Sequence, residues 1–279
     1  MVYRMLALNI DGTLLKENKR MSKETKQAIE YVKKKGVYVT LVTSRPFPSA
    51  KKVAKALKLD SYLITNDGAF IAKNADEPLF SRRLNEEKAL QIVETLESFQ
   101  CSIRVMDDAM AIGNTARQKT NIIAKMMLGS GGPMFYPTVY VDSIRDYLID
   151  KPVSPLKIRV QFFDPIEQKR AMAEMNHITG IETLQKATNQ FDFVSPGVSK
   201  AIGLNVLARH LGIPLKEIVA IGSSEQDVEV ISQVGLGVAM GNSPRQLKDV
   251  ADWVTRSNEQ NGVSYMVREV FRKQMRVQI

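Results

Sequence analysis

The sequence predicts an α/β fold in which an inserted α+β domain interrupts a parallel β-sheet domain. Continuous apolar segments alternate with amphipathic segments over residues 3–65, and this alternation returns after Phe191. Between these two parts the pattern changes to hairpins with intervening helices. Strands joined through helices by short connections are typical of parallel sheets with right-handed crossovers. The two outer parts of the chain are therefore expected to form one domain.

The first part alternates three predicted strands with two predicted helices. Continuous apolar runs, as at residues 3–9, are typical of strands that are covered on both faces. Ser22 is a favourable helix N-cap, and Gly36 is a favourable residue to end that helix. The predicted strands cover residues 3–9, 37–42 and 61–65, and the predicted helices cover 22–35 and 49–57. The segment Asn66-Asp67-Gly68-Ala69 predicts a turn.

The middle part has a different pattern. Residues 70–83 resemble a hairpin with its turn at residues 74–76, and residues 85–99 have the periodicity of an amphipathic helix. Further predicted elements are strands at 102–106, 109–113 and 157–163 and a helix at 165–179. Residues 130–155 are rich in Gly and Pro, and their pattern assigns no element. This block is therefore α+β.

The alternating pattern then returns and sets the predicted domain boundaries. The predicted elements are helices at 200–210, 227–233 and 262–275 and strands at 218–221, 236–240 and 252–255. We predict a core domain made of residues 1–83 and 186–279, with an α+β domain at residues 84–185 inserted into it.

The composition disfavours several classes of protein. The 279 residues include one cysteine, Cys101, which excludes an intramolecular disulfide and fits a cytoplasmic location. No apolar run approaches the roughly 20 residues of a membrane helix, so no membrane partner is expected. The formal charge is +9, but the basic residues are spread along the chain, which disfavours a nucleic-acid partner. Two histidines and one cysteine leave little for a zinc site.

Polar residues follow the predicted strands of the parallel sheet. The first strand ends in Asn9-Ile10-Asp11-Gly12-Thr13, the second in Thr43-Ser44-Arg45, and a later strand in Gly222-Ser223-Ser224-Glu225-Gln226-Asp227. Lys200 begins a helix, where the helix dipole disfavours a cation unless an anion lies nearby. Ligands bind at the carboxyl ends of strands in open parallel sheets. The pattern therefore predicts a ligand site at these segments, and a bound phosphate would explain Lys200.

These segments resemble the haloacid dehalogenase-like hydrolase superfamily, and within it the Cof-type sugar-phosphate phosphatases. The resemblance covers the whole chain in order and spacing. Its motifs are Asp11-Gly12-Thr13-Leu14-Leu15, Thr43-Ser44-Arg45-Pro46, Asn66-Asp67-Gly68-Ala69, Gly197-Val198-Ser199-Lys200, Met240-Gly241-Asn242 and Ser257-Asn258 through Asn261-Gly262-Val263. The resemblance implies a Rossmann-like core with a parallel sheet and an inserted α+β cap of the C2 type.

The family reaction that this resemblance implies is a two-step phosphoryl transfer assisted by Mg²⁺. A first-strand aspartate attacks phosphorus, and a second aspartate protonates the leaving alcohol and then activates water. By resemblance, Asp11 is the general acid/base, Thr43 and Lys200 hold the phosphoryl oxygens, and Asp227 and the Asp11 carbonyl are metal ligands. The candidates for substrate contacts are Ser44, Arg45, Asn66 and Asn242.

Several of these residues also have a purely structural interpretation. Asp11 suits an Asx turn, and Asp227 suits the first turn of a helix. Asn66 and Asn242 are equally well explained as turn residues. Arg45 suits either a phosphate or a neighbouring acid as its partner, and the sequence does not distinguish the two.

The departures from the family pattern that matter most lie in the motif after the first strand and in the motif after the later strand. Asn9 stands where the nucleophilic aspartate belongs, and Ser223 stands where a metal-binding aspartate belongs; Gln226 replaces the usual asparagine. A carboxamide has no anionic oxygen, although its carbonyl can accept a hydrogen bond and ligate a metal weakly. Because hard cations are held by charged oxygens, the loss of two carboxylates is expected to weaken Mg²⁺ binding.

Three explanations of these departures are open. An Asp→Asn change made on purpose at position 9 would leave Ser223 and Gln226 unexplained. Slow residual activity through Asp11 or a water is a second explanation. We favour the third, a phosphatase-like protein that binds a small phosphorylated molecule, such as a sugar phosphate, with little or no activity. An active Mg²⁺-dependent phosphatase and a non-catalytic regulatory or interaction protein are the alternatives, and the oligomeric state is open.

Overall fold

The computed structural model describes residues 2–115, 136–272 and 274. The chain divides into two compact units, one formed by Met1–Phe80 with Ser199–Ile279 and the other by Ser81–Val198. The first predicted boundary, after residue 83, lies close to the observed one. The second, after residue 185, falls inside a strand whose pairing keeps residues up to Val198 in the second unit.

The elements follow in chain order. The strands are β1 (Met5–Leu8), β2 (Tyr38–Leu41), β3 (Leu63–Thr65), β4 (Phe70–Ala72), β5 (Pro78–Ser81), β6 (Cys101–Met106), β7 (Ala111–Asn114), β8 (Thr138–Val141), β9 (Lys157–Phe162), β10 (Glu182–Ala187), β11 (Gln190–Val194), β12 (Ile218–Gly222), β13 (Leu236–Ala239) and β14 (Trp253–Val254). The α-helices are α1 (Lys23–Lys34), α2 (Phe47–Ala56), α3 (Glu86–Glu97), α4 (Ile144–Asp150), α5 (Pro165–Met175), α6 (Lys200–His210), α7 (Val228–Gln233), α8 (Arg245–Val250) and α9 (Gly262–Phe271).

Five parallel strands form the main sheet of the first unit, in the order β14-β13-β12-β1-β2. Met5 on β1 lies opposite Ile218 on one side and Tyr38 on the other, and all the pairings in this sheet are parallel. A parallel bridge between Val42 and Ile64 continues the sheet toward β3. The predicted parallel α/β core is thus confirmed, and the carboxyl ends of β1, β2 and β12 lie at one edge.

Local chemistry accounts for where the helices begin. The Ser22 hydroxyl accepts a hydrogen bond from the Thr25 backbone N–H, which is the N-cap interaction expected of α1. Helix α2 begins at Phe47, earlier than the predicted residue 49. Pro46 is its N-cap and Pro48 lies in its first turn, where a missing N–H costs no helical hydrogen bond.

A six-stranded sheet forms the second unit, in the order β10-β11-β9-β6-β7-β8. Its pairings are antiparallel except for β7 with β8. Apolar side chains on one face, among them Ile103, Val160 and Phe193, pack with buried residues of α3, α4 and α5. The α+β character predicted for the middle of the chain is therefore confirmed.

The structure differs from the predicted elements in a few places. The β10–β11 hairpin had no predicted counterpart, since residues 182–187 are mostly exposed and lack an apolar run. Helix α5 ends at Met175, before the predicted residue 179. The predicted end of the last helix at Met275 lies outside the described residues. Within the described part of the chain, no helix has the length and apolarity needed to cross a membrane.

Candidate functional site

The candidate site lies in the first unit, at the carboxyl ends of β1, β2 and β12 and at the start of α6. Parallel pairing brings residues that are far apart in sequence to this edge, so Asn9 after β1 lies beside Ser223 after β12. Gly68 has a φ of +100°, and a Cβ there would lie 2.0 Å from the Ser199 carbonyl oxygen. A glycine is therefore required for the turn after β3 to approach the start of α6.

The Asn9 side chain is buried and bonded on both ends. Its Oδ1 accepts the Ile10 backbone N–H at 2.8 Å. Its Nδ2 faces three oxygens: the Asp11 carbonyl at 3.0 Å, Asp227 Oδ2 at 3.2 Å and Ser223 Oγ at 3.4 Å. If the Asn9 amide were flipped, its nitrogen would face the Ile10 backbone N–H, and two donors would oppose each other. The hydrogen-bond network therefore fixes the orientation of the Asn9 amide. The nucleophile position therefore presents a hydrogen-bond donor to the group of oxygens.

Asp227 and Lys200 form a buried ion pair beside Asn9. Lys200 Nζ lies 2.7 Å from Asp227 Oδ1, and the two side chains are 3% and 4% exposed. Asp227 Oδ2 also accepts the backbone N–H groups of Ser223 and Ser224, at 2.9 and 3.0 Å, and the Ser224 hydroxyl at 3.0 Å. Hydrogen bonds at both oxygens compensate the carboxylate for its loss of water.

Ser223 is held by hydroxyl hydrogen bonds rather than left open. Its Oγ donates to the Asp11 carbonyl at 2.8 Å and accepts from Thr13 Oγ1 at 3.0 Å. The neighbouring Ser44 hydroxyl donates to Gln226 Oε1 at 2.8 Å. The two positions that depart from the family pattern in this segment, Ser223 and Gln226, are thus both held by hydrogen bonds within the site.

Asp11 and Arg45 form a bidentate ion pair at the more exposed side of the site. The Arg45 Nε and a terminal guanidinium nitrogen lie 2.7 and 2.6 Å from the two carboxylate oxygens of Asp11. Partial burial pushes the pKa of Asp11 upward, but the hydrogen bond and charge of Arg45, helped by Lys19 and Lys200, outweigh it. The pKa of Asp11 therefore lies below its ordinary value, and the carboxyl is ionised at neutral pH.

The residues present do not fit a tightly bound divalent cation. The four predicted metal-ligand positions do converge, but Asn9 Nδ2 already donates to the Asp11 carbonyl, Ser223 and Asp227. The single carboxylate among them is paired with Lys200. In the part of the chain that the structure describes, no three His, Cys, Asp or Glu residues group as a metal site would require. Hard cations need more charged oxygen than this.

The remaining predicted residues bond to the chain itself. Thr43 is buried, and its hydroxyl accepts the Arg45 backbone N–H at 3.1 Å. Asn242 donates to the Gly12 carbonyl at 3.0 Å and accepts the Asn258 backbone N–H at 3.0 Å. Asn66 is fully buried, and its side-chain amide has no hydrogen-bond partner among the described residues. A role of Asn66 in contacting a substrate stays a prediction.

Sequence reasoning missed Thr13 and the contacts of Gln226 and Asn258. Thr13 belongs to a motif that was recognised, so its polar side chain close to Asp11 was an available signal. Asn258 donates to the Leu15 carbonyl at 2.9 Å across a large sequence separation, which no local pattern reveals.

Cys101 lies in the second unit and is free and buried. Burial first, and then the charges of Glu167 and Glu97, raise the pKa of its thiol to about 12. The thiol is therefore protonated at neutral pH and poorly reactive.

Comparison with known proteins identifies relatives over nearly the whole chain. A family profile described as haloacid dehalogenase-like hydrolase matches residues 6–267. The "Stress response protein YhaX" of Bacillus subtilis (strain 168) is 44% identical over 98% of this chain and 95% of its own length. The "5-amino-6-(5-phospho-D-ribitylamino)uracil phosphatase YcsE" of the same organism is 26% identical over 95% of this chain and 94% of its own length.

A solved structure gives the same fold. A haloacid dehalogenase-like hydrolase from Bacteroides thetaiotaomicron superposes with a TM-score of 0.84 and 22% sequence identity. The match covers 96% of this chain and 100% of that one. At this identity the likeness shows the fold alone.

Proposed function

The chain belongs to the haloacid dehalogenase-like hydrolase family, and from this premise we propose that it is a phosphatase-like protein that binds small phosphorylated ligands without the aspartyl-phosphate reaction. The observation that supports this most directly is the Asn9 amide. Its oxygen accepts the Ile10 N–H, and its nitrogen faces Asp11, Ser223 and Asp227. A neutral amide held in this way has no anionic oxygen with which to attack phosphorus.

The state of Asp11 supports the same proposal. A general acid must be protonated when it donates to the leaving alcohol, and its pKa should lie near the working pH. Arg45 instead holds the pKa of Asp11 below its ordinary value, against the upward push of partial burial. At neutral pH Asp11 is therefore poorly prepared to donate a proton while this ion pair persists.

The charges around the site favour an anion. Arg45, Lys19 and Lys200 are three cations, and Asp11 and Asp227 are two carboxylates. A phosphate dianion at this edge of the sheet would gain from Arg45, whose guanidinium is partly exposed and presents a planar set of N–H donors. In this proposal the weak fit for Mg²⁺ does not prevent binding, because cationic side chains supply the compensating charge.

The named relatives suggest the chemical class of ligand. One is named for a phosphorylated ribitylaminouracil and another as "HMP-PP phosphatase" of Klebsiella pneumoniae (strain 342), which is 26% identical. From these names we carry over to this chain only the chemical class of the ligand. That class is a small molecule that bears a phosphate, and it includes sugar phosphates. A cytoplasmic location stays a prediction from the lone cysteine.

A non-catalytic regulatory role is the second candidate. It is favoured by one observation: the relative with 44% identity is named as a stress response protein, whereas the relatives with 26% identity named above are called phosphatases. Ligand binding and a regulatory role are compatible, so the first experiment addresses binding.

Calorimetric titration with glucose 6-phosphate and with inorganic phosphate, each in EDTA and in Mg²⁺, tests the proposal. We expect binding that is equal in the two buffers, and weakening of about tenfold in Arg45→Gln, the scale of a lost charged hydrogen bond. Arg145→Gln, at an exposed ion pair of the second unit, is the matched control and should bind normally. Binding that requires Mg²⁺, or binding of neither probe, would overturn the proposal.

A further inference from the structure

Lys19 lies in a short turn that follows the Asp11 motif. The Lys16 N–H donates to the Arg20 carbonyl at 3.0 Å, and the Lys19 N–H donates to the Lys16 carbonyl at 2.9 Å. The backbone of Lys19 is left-handed, with a φ of +61°. Glycine adopts this conformation without the steric cost that a side chain brings, so the backbone alone disfavours a lysine here. The turn itself therefore does not explain the choice of lysine.

Contacts from a loop far away in sequence hold this turn in place. The Leu15 carbonyl accepts a hydrogen bond from Asn258 Nδ2 at 2.9 Å, and the Glu17 backbone N–H donates to Glu259 Oε1 at 2.8 Å. The other carboxylate oxygen of Glu259 lies 3.9 Å from Lys16 Nζ. The turn is thus anchored at its beginning, and both oxygens of the Glu259 carboxylate are already in contact with it.

Lys19 brings a positive charge to the candidate site. Its charge is one of those that lower the pKa of Asp11, and its effect is larger than that of Lys200. Because the Coulomb energy falls with distance and salt screens exposed charges, this effect indicates that the Lys19 ammonium lies near the Asp11 carboxylate. Lys19 is also exposed, so a ligand can reach it.

The three cations at the site differ in how they are paired. Arg45 forms a bidentate ion pair with Asp11, and Lys200 forms a buried ion pair with Asp227. The Lys19 side chain, by contrast, has no hydrogen-bond or ion-pair partner among residues 2–115, 136–272 and 274. Within these described ranges, Lys19 is therefore the cation of the three that no carboxylate compensates.

We propose that the ligand of the candidate site carries a second anionic group, a phosphate or a carboxylate, and that Lys19 binds this group. The inference rests on the proposed function, because it assumes that a first phosphate lies beside Arg45. A lysine ammonium is a compact charge with three rotatable donors, which suits either anionic group. A ligand with two anionic groups would use both Arg45 and Lys19, whereas a monophosphate would leave Lys19 uncompensated.

Three ligands on one carbon skeleton test the proposal by calorimetric titration in EDTA. Glucose 6-phosphate carries one anionic group, glucose 1,6-bisphosphate adds a phosphate, and 6-phosphogluconate adds a carboxylate. We expect the full chain to bind at least one of the doubly anionic ligands about fivefold more tightly than glucose 6-phosphate, which is the scale of an exposed ion pair. The ligand that gains affinity shows which group Lys19 binds.

Substitutions at Lys19 should remove this preference without unfolding the chain. Glycine suits the left-handed backbone, so we expect Lys19→Gly to keep its Tm and to bind all three ligands with the affinity of glucose 6-phosphate. Lys19→Arg keeps the charge and should keep the preference. Lys58→Gly is the matched control, because Lys58 is also an exposed lysine with a left-handed backbone, at a φ of +52°, and it follows α2. It should leave the preference unchanged.

The outcomes separate this inference from the proposed function. Equal affinities of the full chain for the three ligands, or a preference that survives in Lys19→Gly, would overturn the inference and leave the proposed function standing. Loss of the preference in Lys58→Gly as well would also count against the inference, because total charge and not the position of Lys19 would then decide binding. Binding of none of the three ligands would overturn both.

Discussion

The Asn9 side-chain nitrogen lies 3.2 Å from Oδ2 of Asp227, on the carboxylate whose other oxygen receives the Lys200 ammonium at 2.7 Å. An aspartate at position 9 would instead bring a second negative charge to this carboxylate, and a cation would then be needed between them. The amide removes that need. We infer that the identity of residue 9 decides whether these oxygens coordinate a cation or accept hydrogen bonds from a side-chain amide.

The buried ion pair between Lys200 and Asp227 makes Lys200 a strong determinant of stability. Lys200→Met removes one partner and leaves a buried carboxylate without its cation, so we expect the free energy of unfolding to fall by roughly 3–5 kcal/mol. Lys34→Met is the matched control, because Lys34 is 73% exposed and pairs with Glu30. It should cost about 0.5 kcal/mol or less. Urea unfolding measures both, and equal effects of the two substitutions would contradict the buried-pair interpretation.

Gly68 sets the approach of the turn after β3 to the start of α6. In Gly68→Ala a methyl group would overlap the Ser199 carbonyl oxygen at 2.0 Å, so we expect a loss of more than the roughly 1–2 kcal/mol of left-handed strain alone. Gly212→Ala isolates that strain, because Gly212 has a φ of +62° and nothing within 4 Å of the added carbon. Chemical unfolding of both variants gives the comparison. A Gly68→Ala cost no larger than that of Gly212→Ala would show that the close approach is not a constraint.

The pairing of Arg45 with Asp11 has a consequence for pH. Because the pKa of Asp11 is lower in the folded chain than in the unfolded chain, the pair stabilises the protein above about pH 4. That contribution disappears as the pH falls through the folded pKa. In Arg45→Gln only the upward effect of burial and the weaker charges of Lys19 and Lys200 remain, so the pKa of Asp11 should rise.

NMR titration of the Asp11 carboxyl carbon measures this change directly. Arg145→Gln, far from Asp11 in sequence and in the other unit, should leave the titration where it is. The stability of the unaltered chain should also fall more steeply below pH 4 than that of Arg45→Gln. An Asp11 titration that does not move in Arg45→Gln would show that the ion pair does not control its ionisation.

Local sequence chemistry predicted most of the fold. Ser22 is an N-cap in the structure, as predicted, and continuous apolar runs correctly located β1 and β2. The β10–β11 hairpin was missed because its stability comes from pairing with β9 and not from an apolar pattern of its own.

The sequence predicted which positions form the candidate site, but it did not predict the contacts among their side chains. The order of polar strand ends predicted that Asn9, Ser223 and Asp227 lie at one edge of the sheet, and the structure brings Asn9 within hydrogen-bond distance of the other two. The direction of the Asn9 amide and the choice of Asp11 as partner of Arg45 depend on contacts between strand ends, which no local pattern contains. The burial of Asn66 follows from packing in the same way.

The most direct test of the central claim is phosphate release from sugar phosphates and an aryl phosphate, with and without Mg²⁺. The chain as it stands is compared with the Asn9→Asp, Ser223→Asp double variant, which restores two carboxylates at the group of oxygens. We predict that the chain as it stands releases no phosphate above background and that the double variant gains Mg²⁺-dependent release. Mg²⁺-dependent turnover by the unaltered chain would contradict the account.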